Sequence, residues 1–189
     1  FFPRDEAELS AVVKECARQK IPITIAGART GLVGGCVPMQ GALISMEHFD
    51  QVEAVFHDPV REEWMVRAQA AVSLKTLEAM LRSKNIPIHP GNPDSIAQEE
   101  LQRFKTDPAS YFYPPDPTEM SASLGGSVAT NASGARTYRY GPTRAWVRGL
   151  RVMLSNGEIL DIPRGRIFAS PSGHFTLHDA QGQVHSFRV

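Results

Sequence analysis

The run of small residues at positions 121–135 is the part of this sequence best suited to hold a ligand. Twelve of its fifteen residues are glycine, alanine, serine or threonine, and the exceptions are Leu124, Val128 and Asn131. So many glycines and hydroxyl side chains weaken a helix, and a hydrophobic core does not need so few large side chains. A backbone of this kind can lie directly against a large flat ligand and donate hydrogen bonds from its own N–H groups. We therefore expect this run to form part of a binding surface.

Two other segments are suited to the same chemistry. Residues 113–118 read Tyr-Pro-Pro-Asp-Pro-Thr. Their prolines make the chain rigid, so it can present carbonyls, N–H groups and the Asp116 carboxylate with little entropy left to lose on binding. The glycine-rich turn at residues 27–35 follows a predicted strand, where successive N–H groups can form an anion-binding concavity. Thr30 adds a hydroxyl donor to this turn.

Each of these segments also has a plainer interpretation. The turn lacks both the Gly-Lys-Ser/Thr of a P-loop and the G-x-G-x-x-G spacing of the Rossmann fold, so it could be an ordinary exit from a strand. The proline segment could be a rigid surface loop. The stretch Thr130-Asn131-Ala132-Ser133-Gly134 offers polar contacts, but on its own it is better explained by close packing of small residues between a helix and a sheet.

The pattern of apolar residues predicts a small α/β unit over residues 1–85. Its expected elements are a helix at 3–20, a strand at 21–26, a strand at 43–46, a hairpin of 52–57 with 64–68, and a helix capped by Ser73. Residues 86–112 are interpreted as a connector or insertion, with a short helix at 95–104 that Asp94 could cap.

Residues 113–189 are expected to form a second unit, incomplete at its C-terminus. The Asn156-Gly157 pair between apolar runs predicts a hairpin of 147–154 with 159–162. A further hairpin is expected to join 175–178 to 184–189. This half is therefore predicted to be an antiparallel sheet with short helices.

Bulk composition excludes several classes of protein. The 20 basic residues balance the 20 acidic ones without a basic block, so nucleic acid and anionic membranes are poor partners. No apolar run approaches the about 20 residues of a membrane span. Cys16, Cys36 and the six histidines show no metal-type spacing, so we predict no metal site and a cytoplasmic location. The chain starts without methionine and stops within a predicted strand, so we expect a fragment of a longer protein.

In combination the motifs become recognisable. In order along the chain they are Pro-Pro-Asp-Pro-Thr at 114–118, Ser-Leu-Gly-Gly at 123–126, Thr-Asn-Ala-Ser-Gly at 130–134, Tyr-Gly at 140–141 and Leu-Arg-Val-Met-Leu-Ser-Asn-Gly at 150–157. Together they resemble the FAD-binding (PCMH-type) domain of the vanillyl-alcohol-oxidase superfamily. The resemblance is greatest to its branch of glycolate oxidases, D-lactate dehydrogenases and D-2-hydroxyglutarate dehydrogenases, and it covers nearly the whole chain.

This resemblance implies a two-subdomain α+β fold, a small α/β subdomain plus an antiparallel sheet with flanking helices, that clasps FAD. The upstream turn would wrap the pyrophosphate, and the two later segments would line the flavin, the ribityl chain and the phosphate. The implied cofactor-binding residues are Gly27, Ala28, Arg29, Thr30, Gly31, Pro115, Asp116, Pro117, Thr118, Ser123, Gly125, Gly126, Asn131, Ala132, Ser133 and Gly134. No histidine or cysteine lies in the turn, where several relatives attach flavin covalently, so we expect non-covalent FAD. No catalytic residue is assigned to this chain.

The resemblance further implies hydride transfer to FAD from a small-molecule substrate, most of all a 2-hydroxy acid, with the substrate domain C-terminal to this chain and a protein as one option for the electron acceptor. The open alternatives are a sugar or alditol oxidase, an alkyl-glycerone-phosphate-synthase-like enzyme, a non-catalytic FAD-binding subunit or scaffold, and another kind of nucleotide-binding module. The sequence departs from the family at Arg29, where glycine is common, in the longer stretch before Pro-Pro-Asp-Pro-Thr, and in lacking a Gly-Ser-Glu-Gly-Thr stretch.

Overall fold

The computed structural model describes residues 1–88, 95–115, 118–179 and 182–189, with the side chains of residues 95–97 outside this description. The helices and strands, in chain order, are α1 (Glu6–Gln19), β1 (Ile23–Ala26), β2 (Ala42–Ser45), β3 (Val52–Asp58), β4 (Glu63–Ala68), α2 (Leu74–Ser83), α3 (Ser95–Thr106), α4 (Leu124–Ala129), α5 (Thr137–Tyr140), β5 (Gly149–Met153), β6 (Ile159–Pro163), β7 (His174–His178) and β8 (Val184–Arg188). A 3₁₀ turn at Thr143–Ala145 precedes β5.

Helix α1 packs against the parallel strands β1 and β2. The side chain of Asp5 caps α1 by accepting a hydrogen bond from the backbone N–H of Glu8 at 2.8 Å. Leu9 and Val13, one helical turn apart, bury the inner face of α1 in a cluster with Ile44 of β2. The helix and both strands thus lie where the sequence predicts them, to within a few residues at each end.

A second core lies under the antiparallel hairpin β3–β4. Val52 and Val55 of β3 pack with Leu77 of α2 and with Phe104 of α3, whose side chain is fully buried. Phe104 belongs to the stretch 86–112, which the sequence presents as a connector. In the structure its helix is part of the core of the β3–β4 unit, because the apolar Phe104 side chain is buried against these strands. The predicted cap Asp94 lies outside the described residues.

The second half contains the hairpins β5–β6 and β7–β8, each a two-stranded antiparallel sheet. Antiparallel strands thus form in this half, as the sequence predicts, and within the described ranges they are arranged as two hairpins. The two hairpins are linked by one bridge pair, Leu160 with Asp179. Gly157 in the β5–β6 turn has φ +79°, the left-handed conformation for which its Asn-Gly turn is suited.

Helix α1 connects the two halves. The Ser10 hydroxyl donates to the carbonyl oxygen of Gly157 at 2.8 Å. Arg151 of β5 pairs with Glu6 through its Nε at 2.7 Å. A Cβ at Gly157 would approach Lys14 Cγ to 2.6 Å, so this position of the turn lies directly on the helix. The β5–β6 hairpin is thereby held against the first unit.

The small-residue run forms a short helix, which corrects the expectation that its composition disfavours one. Helix α4 begins after Ser123, whose hydroxyl accepts a hydrogen bond from the backbone N–H of Gly126 at 3.2 Å. This cap supports the first turn despite two glycines. The Ser127 hydroxyl donates back to the Ser123 carbonyl oxygen at 2.9 Å. A hydroxyl bonded to the carbonyl four residues earlier slightly weakens a helix, so the Ser123 cap is the local contact that favours α4.

Candidate functional site

The glycine-rich turn and the small-residue run lie in direct contact. A Cβ added at Gly27 would stand 2.5 Å from Ser123 Oγ and 3.7 Å from Ser123 Cβ. Ser123 is itself buried, with 3% of its surface exposed. The two segments that the motifs single out thus meet at a point where the turn has no side chain. Ala28, directly after this contact, is exposed, so a ligand can approach the backbone of the turn closely there.

The start of α4 is held by the segment that precedes α2. The backbone N–H of Gly125 donates to the carbonyl oxygen of Ala70 at 2.8 Å, and the N–H of Leu124 donates to Val72 O at 2.8 Å. A Cβ at Gly125 would stand 2.7 Å from Ala70 Cβ and 3.0 Å from Ala70 O. The glycine at position 125 is therefore required by packing of the chain on itself. The neighbouring Gly126 is exposed, and a Cβ there would meet only Ser123 Oγ, at 2.9 Å.

The turn itself is open. Gly31 and Gly35 have no non-neighbouring atom within 4 Å of an added Cβ, and Ala28 is exposed. Leu32 is fully exposed as well. The folded chain alone gives no steric reason for glycine at positions 31 and 35. Backbone without side chains leaves room for a ligand to lie directly against it, and an added Cβ would occupy that room.

Charge and backbone geometry at the turn favour an anion. Arg29 is the single charged residue among positions 27–41, and its side chain is exposed. Its φ is +59°, a left-handed conformation that costs a non-glycine residue roughly 1–2 kcal/mol. Glycine adopts this backbone conformation at a lower cost in free energy than arginine does. Thr30 follows it and is half-buried.

The stretch after α4 is fastened to the 3₁₀ turn. Asn131, with φ +48°, accepts a hydrogen bond through Oδ1 from Arg144 N at 3.0 Å. The buried Thr143 hydroxyl donates to Ala132 O at 2.7 Å. Ser133 is exposed. The described hydrogen bonds of this stretch are made within the protein, as the packing interpretation expects. The Ser133 side chain, in contrast, faces outward.

The proline segment is described only in part. Pro115 is buried and Thr118 is exposed, whereas Asp116 and Pro117 lie outside the described residues. Just before them, the backbone N–H of Tyr113 donates to Glu78 Oε2 of α2 at 2.9 Å. Burial raises the pKa of Tyr113 to about 12, although its hydrogen bond with Thr143 lowers it. Tyr113 is therefore a neutral phenol at physiological pH, and it holds the start of the proline segment.

The sequence did not single out the residues that support this arrangement. Ala70 is the packing partner that makes glycine necessary at 125, and Thr143 links the stretch after α4 to Tyr113. Neither residue lies in a recognisable motif, so only the fold brings them to the site. The Gly-Pro before Thr143 is the sole local signal, and it indicates a turn rather than a contact.

Two side-chain-poor segments in contact are suited to a large nucleotide cofactor, because their backbone N–H groups can be approached closely. The profile of the family described as FAD binding domain matches residues 1–99 and 96–163. The chain belongs to this family. FAD is its cofactor, as the motifs predict.

Curated relatives support the predicted branch. The chain is 38% identical over 171 residues to the D-lactate dehydrogenase of Anaerostipes hadrus, an alignment that covers 90% of this chain and 30% of the relative. It is 30% identical over 160 residues to glycolate oxidase subunit GlcD of Bacillus subtilis, covering 84% and 28%. It is 30% identical over 179 residues to the D-2-hydroxyglutarate dehydrogenase of Xanthomonas citri, covering 94% and 32%. The chain thus spans about a third or less of the length of these relatives.

Solved structures confirm the predicted α+β, PCMH-type fold. An alkyldihydroxyacetonephosphate synthase superposes with a TM-score of 0.61 at 19% identity, covering 87% of this chain and 28% of the other. A chitooligosaccharide oxidase superposes with a TM-score of 0.57 at 16% identity, covering 86% and 29%. In the ranges that the structure describes, no helix combines the length and apolar character needed to cross a membrane.

Proposed function

We propose that this chain is the FAD-holding part of a flavin-dependent dehydrogenase or oxidase that acts on a 2-hydroxy acid. Lactate, glycolate and 2-hydroxyglutarate, which appear in the names of three relatives, all carry a hydroxyl on the carbon next to a carboxylate. FAD supplies the redox chemistry by accepting a hydride equivalent from that carbon. The chain supplies grip and orientation.

The observation that carries the proposal is the contact between Gly27 and Ser123. Positions so distant in the sequence meet where the turn has no side chain, with 2.5 Å between an ideal Gly27 Cβ and Ser123 Oγ. Had the two segments faced away from each other, they could not share one ligand. Their contact supports a single site that receives both the diphosphate and the flavin ends of FAD.

Each segment then has a part in the site. The N–H groups of residues 27–31 bind the pyrophosphate, assisted by the Thr30 hydroxyl and by the Arg29 guanidinium. Residues 115–118 and 123–126 line the flavin side. Residues 131–134 hold the ribityl and phosphate region, with Ser133 as the outward hydroxyl. The two glycines of the 123–126 group differ in role, because Gly125 packs on Ala70 and Gly126 faces outward.

We further infer that FAD is held without a covalent bond. The turn at residues 27–35 contains no histidine or cysteine, and Cys36, the next residue along the chain, is partly exposed. The grip therefore depends on hydrogen bonds and charge. Acid precipitation of the flavin-loaded protein should leave all FAD in the supernatant, whereas flavin retained in the precipitate contradicts this inference.

The substrate pocket is proposed to come from sequence outside residues 1–189, since the chain spans 28–32% of the three relatives. A protein electron acceptor and a cytoplasmic location complete the proposal. The free cysteines Cys16 and Cys36 are compatible with a reducing compartment. Dye reduction by the protein with a panel of D- and L-2-hydroxy acids tests the substrate class. Turnover of sugars or alditols alone would refute it.

The cofactor site is tested by a matched pair of variants, Gly31→Ala and Gly35→Ala. Both positions have nothing within 4 Å of the added methyl, and neither has a positive φ. Folding should therefore be unaffected in both. If the pyrophosphate lies against residue 31, the methyl must displace it, and a forced overlap of about 1–3 kcal/mol lowers FAD affinity by about 5- to 150-fold. We expect no change for Gly35→Ala, because position 35 lies outside residues 27–31, which we assign to the pyrophosphate. Both affinities are measured by quenching of flavin fluorescence. Equal affinities in the two variants would refute the assignment.

A further inference from the structure

Three side chains with metal-binding atoms converge between the two C-terminal hairpins. Glu158 lies in the β5–β6 turn, Asp179 directly follows β7, and His185 lies on β8. His185 Nε2 is 3.1 Å from Asp179 Oδ2 and 3.2 Å from Glu158 Oε2. One ligand atom from each of the three residues falls within 4.8 Å of the others. Three chain segments thus direct an imidazole nitrogen and two carboxylate oxygens at one point.

The cluster is enclosed rather than spread over the surface. The side chain of Asp179 is 1% exposed, that of His185 is 14% exposed and that of Glu158 is 24% exposed. Placing two carboxylates in so little water is unfavourable unless their charge is balanced. A divalent cation at the point where the three ligand atoms converge would be attracted by both carboxylates and by the imidazole nitrogen.

The spacing of the donor atoms agrees with tetrahedral coordination. Four ligand atoms at about 2.1 Å from a zinc ion lie about 3.4 Å from one another. The nitrogen–oxygen separations of 3.1 and 3.2 Å therefore need only a small expansion around an ion.

Groups outside the cluster hold the two carboxylates in place. The Asn156 side-chain amide donates to Glu158 Oε2 at 2.6 Å. The backbone N–H of Gln183 donates to Asp179 Oδ1 at 2.7 Å, and Asp179 Oδ2 faces His185. Hydrogen bonds of this kind orient the ligands of metal sites.

We propose that Glu158, Asp179 and His185 bind a divalent transition-metal ion, with zinc as the reference ion, that joins the β7–β8 hairpin to the β5–β6 hairpin. The three protein ligands leave a fourth position for water. An imidazole nitrogen in the donor set favours zinc over magnesium or calcium, which prefer oxygen ligands. The family profile matches the chain up to residue 163, so Asp179 and His185 lie beyond the matched domain. The sequence contains no metal-type spacing that indicates this site.

The test is zinc binding to the purified, metal-stripped protein, measured by competition with a chromophoric chelator. We expect one zinc ion per chain and a rise of the melting temperature with zinc but not with magnesium. Glu158→Gln and His185→Gln should abolish this binding. Asn156→Ala removes the hydrogen bond to Glu158 Oε2 and the one that Asn156 Oδ1 accepts from Glu158 N, so it should weaken zinc binding about 10-fold or more. His178→Gln is the matched control, because His178 is an exposed histidine of the same hairpin.

Two results would overturn the proposal. One is the absence of saturable zinc binding by the wild-type protein at micromolar metal. The other is binding that survives Glu158→Gln and His185→Gln but falls in His178→Gln, which would place the metal on surface histidines. Because Glu158 is the most exposed of the three residues, Glu158→Gln gives a readout even if His185→Gln does not fold. Neither measurement depends on FAD or on enzyme activity.

Discussion

The contact between Gly27 and Ser123 can be measured in solution by a double-mutant cycle on the protein without FAD. In Gly27→Ala the new methyl would stand 2.5 Å from Ser123 Oγ, a separation that real Cβ atoms do not adopt. Oγ is the tip of a rotatable side chain, so we expect the hydroxyl to turn away. It then loses the hydrogen bond from Gly126 N, at 3.2 Å, that caps α4.

The magnitude follows from the value of that cap. Losing a serine cap costs about 1 kcal/mol, within a range of about 0.5–2, so Gly27→Ala and Ser123→Ala should each lower the free energy of unfolding by about this amount. In the double variant the cap is already absent, and the two Cβ atoms stand 3.7 Å apart, an ordinary contact. The double variant should therefore lose about 1 kcal/mol rather than the sum of about 2.

Urea unfolding of the four proteins, followed by tryptophan fluorescence, supplies the free energies. The change in unfolded-state entropy from Gly27→Ala is the same with and without Ser123, so it cancels in the cycle. Gly31→Ala combined with Ser123→Ala is the control, because no atom lies within 4 Å of the added methyl. That pair should be additive within about 0.5 kcal/mol. If the Gly27 pair is equally additive, the two segments do not meet and a shared FAD site is refuted.

Three other perturbations test separate parts of the structure. Arg29→Ala should lower FAD affinity, and by more at low salt than at high salt, because exposed charges are screened; an unchanged affinity at every salt concentration would place the guanidinium in solvent. Burial raises the pKa of Tyr113 to about 12, so the folded state keeps a proton that the unfolded state releases above its own pKa of about 10. Stability should thus fall as the pH rises from about 10 to 12, and Tyr113→Phe should remove that part of the alkaline loss in urea titrations. Phe104→Ala should lower the free energy of unfolding by about 3–5 kcal/mol, against less than about 0.5 for the exposed control Lys105→Ala; a small loss for both would make α3 a connector after all.

Secondary structure was predictable wherever the sequence carried a local pattern. The apolar spacing of α1 and the apolar runs of β3 and β4 are properties of consecutive residues, and the helix and the hairpin are both confirmed. The Asn156-Gly157 turn likewise specified the β5–β6 hairpin. These elements can be inferred because the physical cause of each lies within a few residues of the chain.

The two differences from expectation have non-local causes. Helix α4 forms in a run of poor helix formers because Leu124 and Gly125 hydrogen-bond to the segment before α2, a partner that no window of sequence reveals. Helix α3 joins the core because Phe104 packs against strands more than forty residues earlier in the chain. In both places tertiary contacts outweigh local propensity.

The site shows the same division. Motif recognition found the glycines at 27, 31, 125 and 126, but it gave them one common reason, close approach of a cofactor. The structure separates them, since a Cβ at Gly125 meets the backbone of Ala70 and a Cβ at Gly31 meets nothing within 4 Å. A glycine that the fold itself requires gives no information about a bound ligand. A glycine with open space around it, in a turn whose only charge is Arg29, is a stronger indication of a bound ligand. A substitution at Gly31 can therefore change FAD binding without changing folding, whereas a substitution at Gly125 cannot.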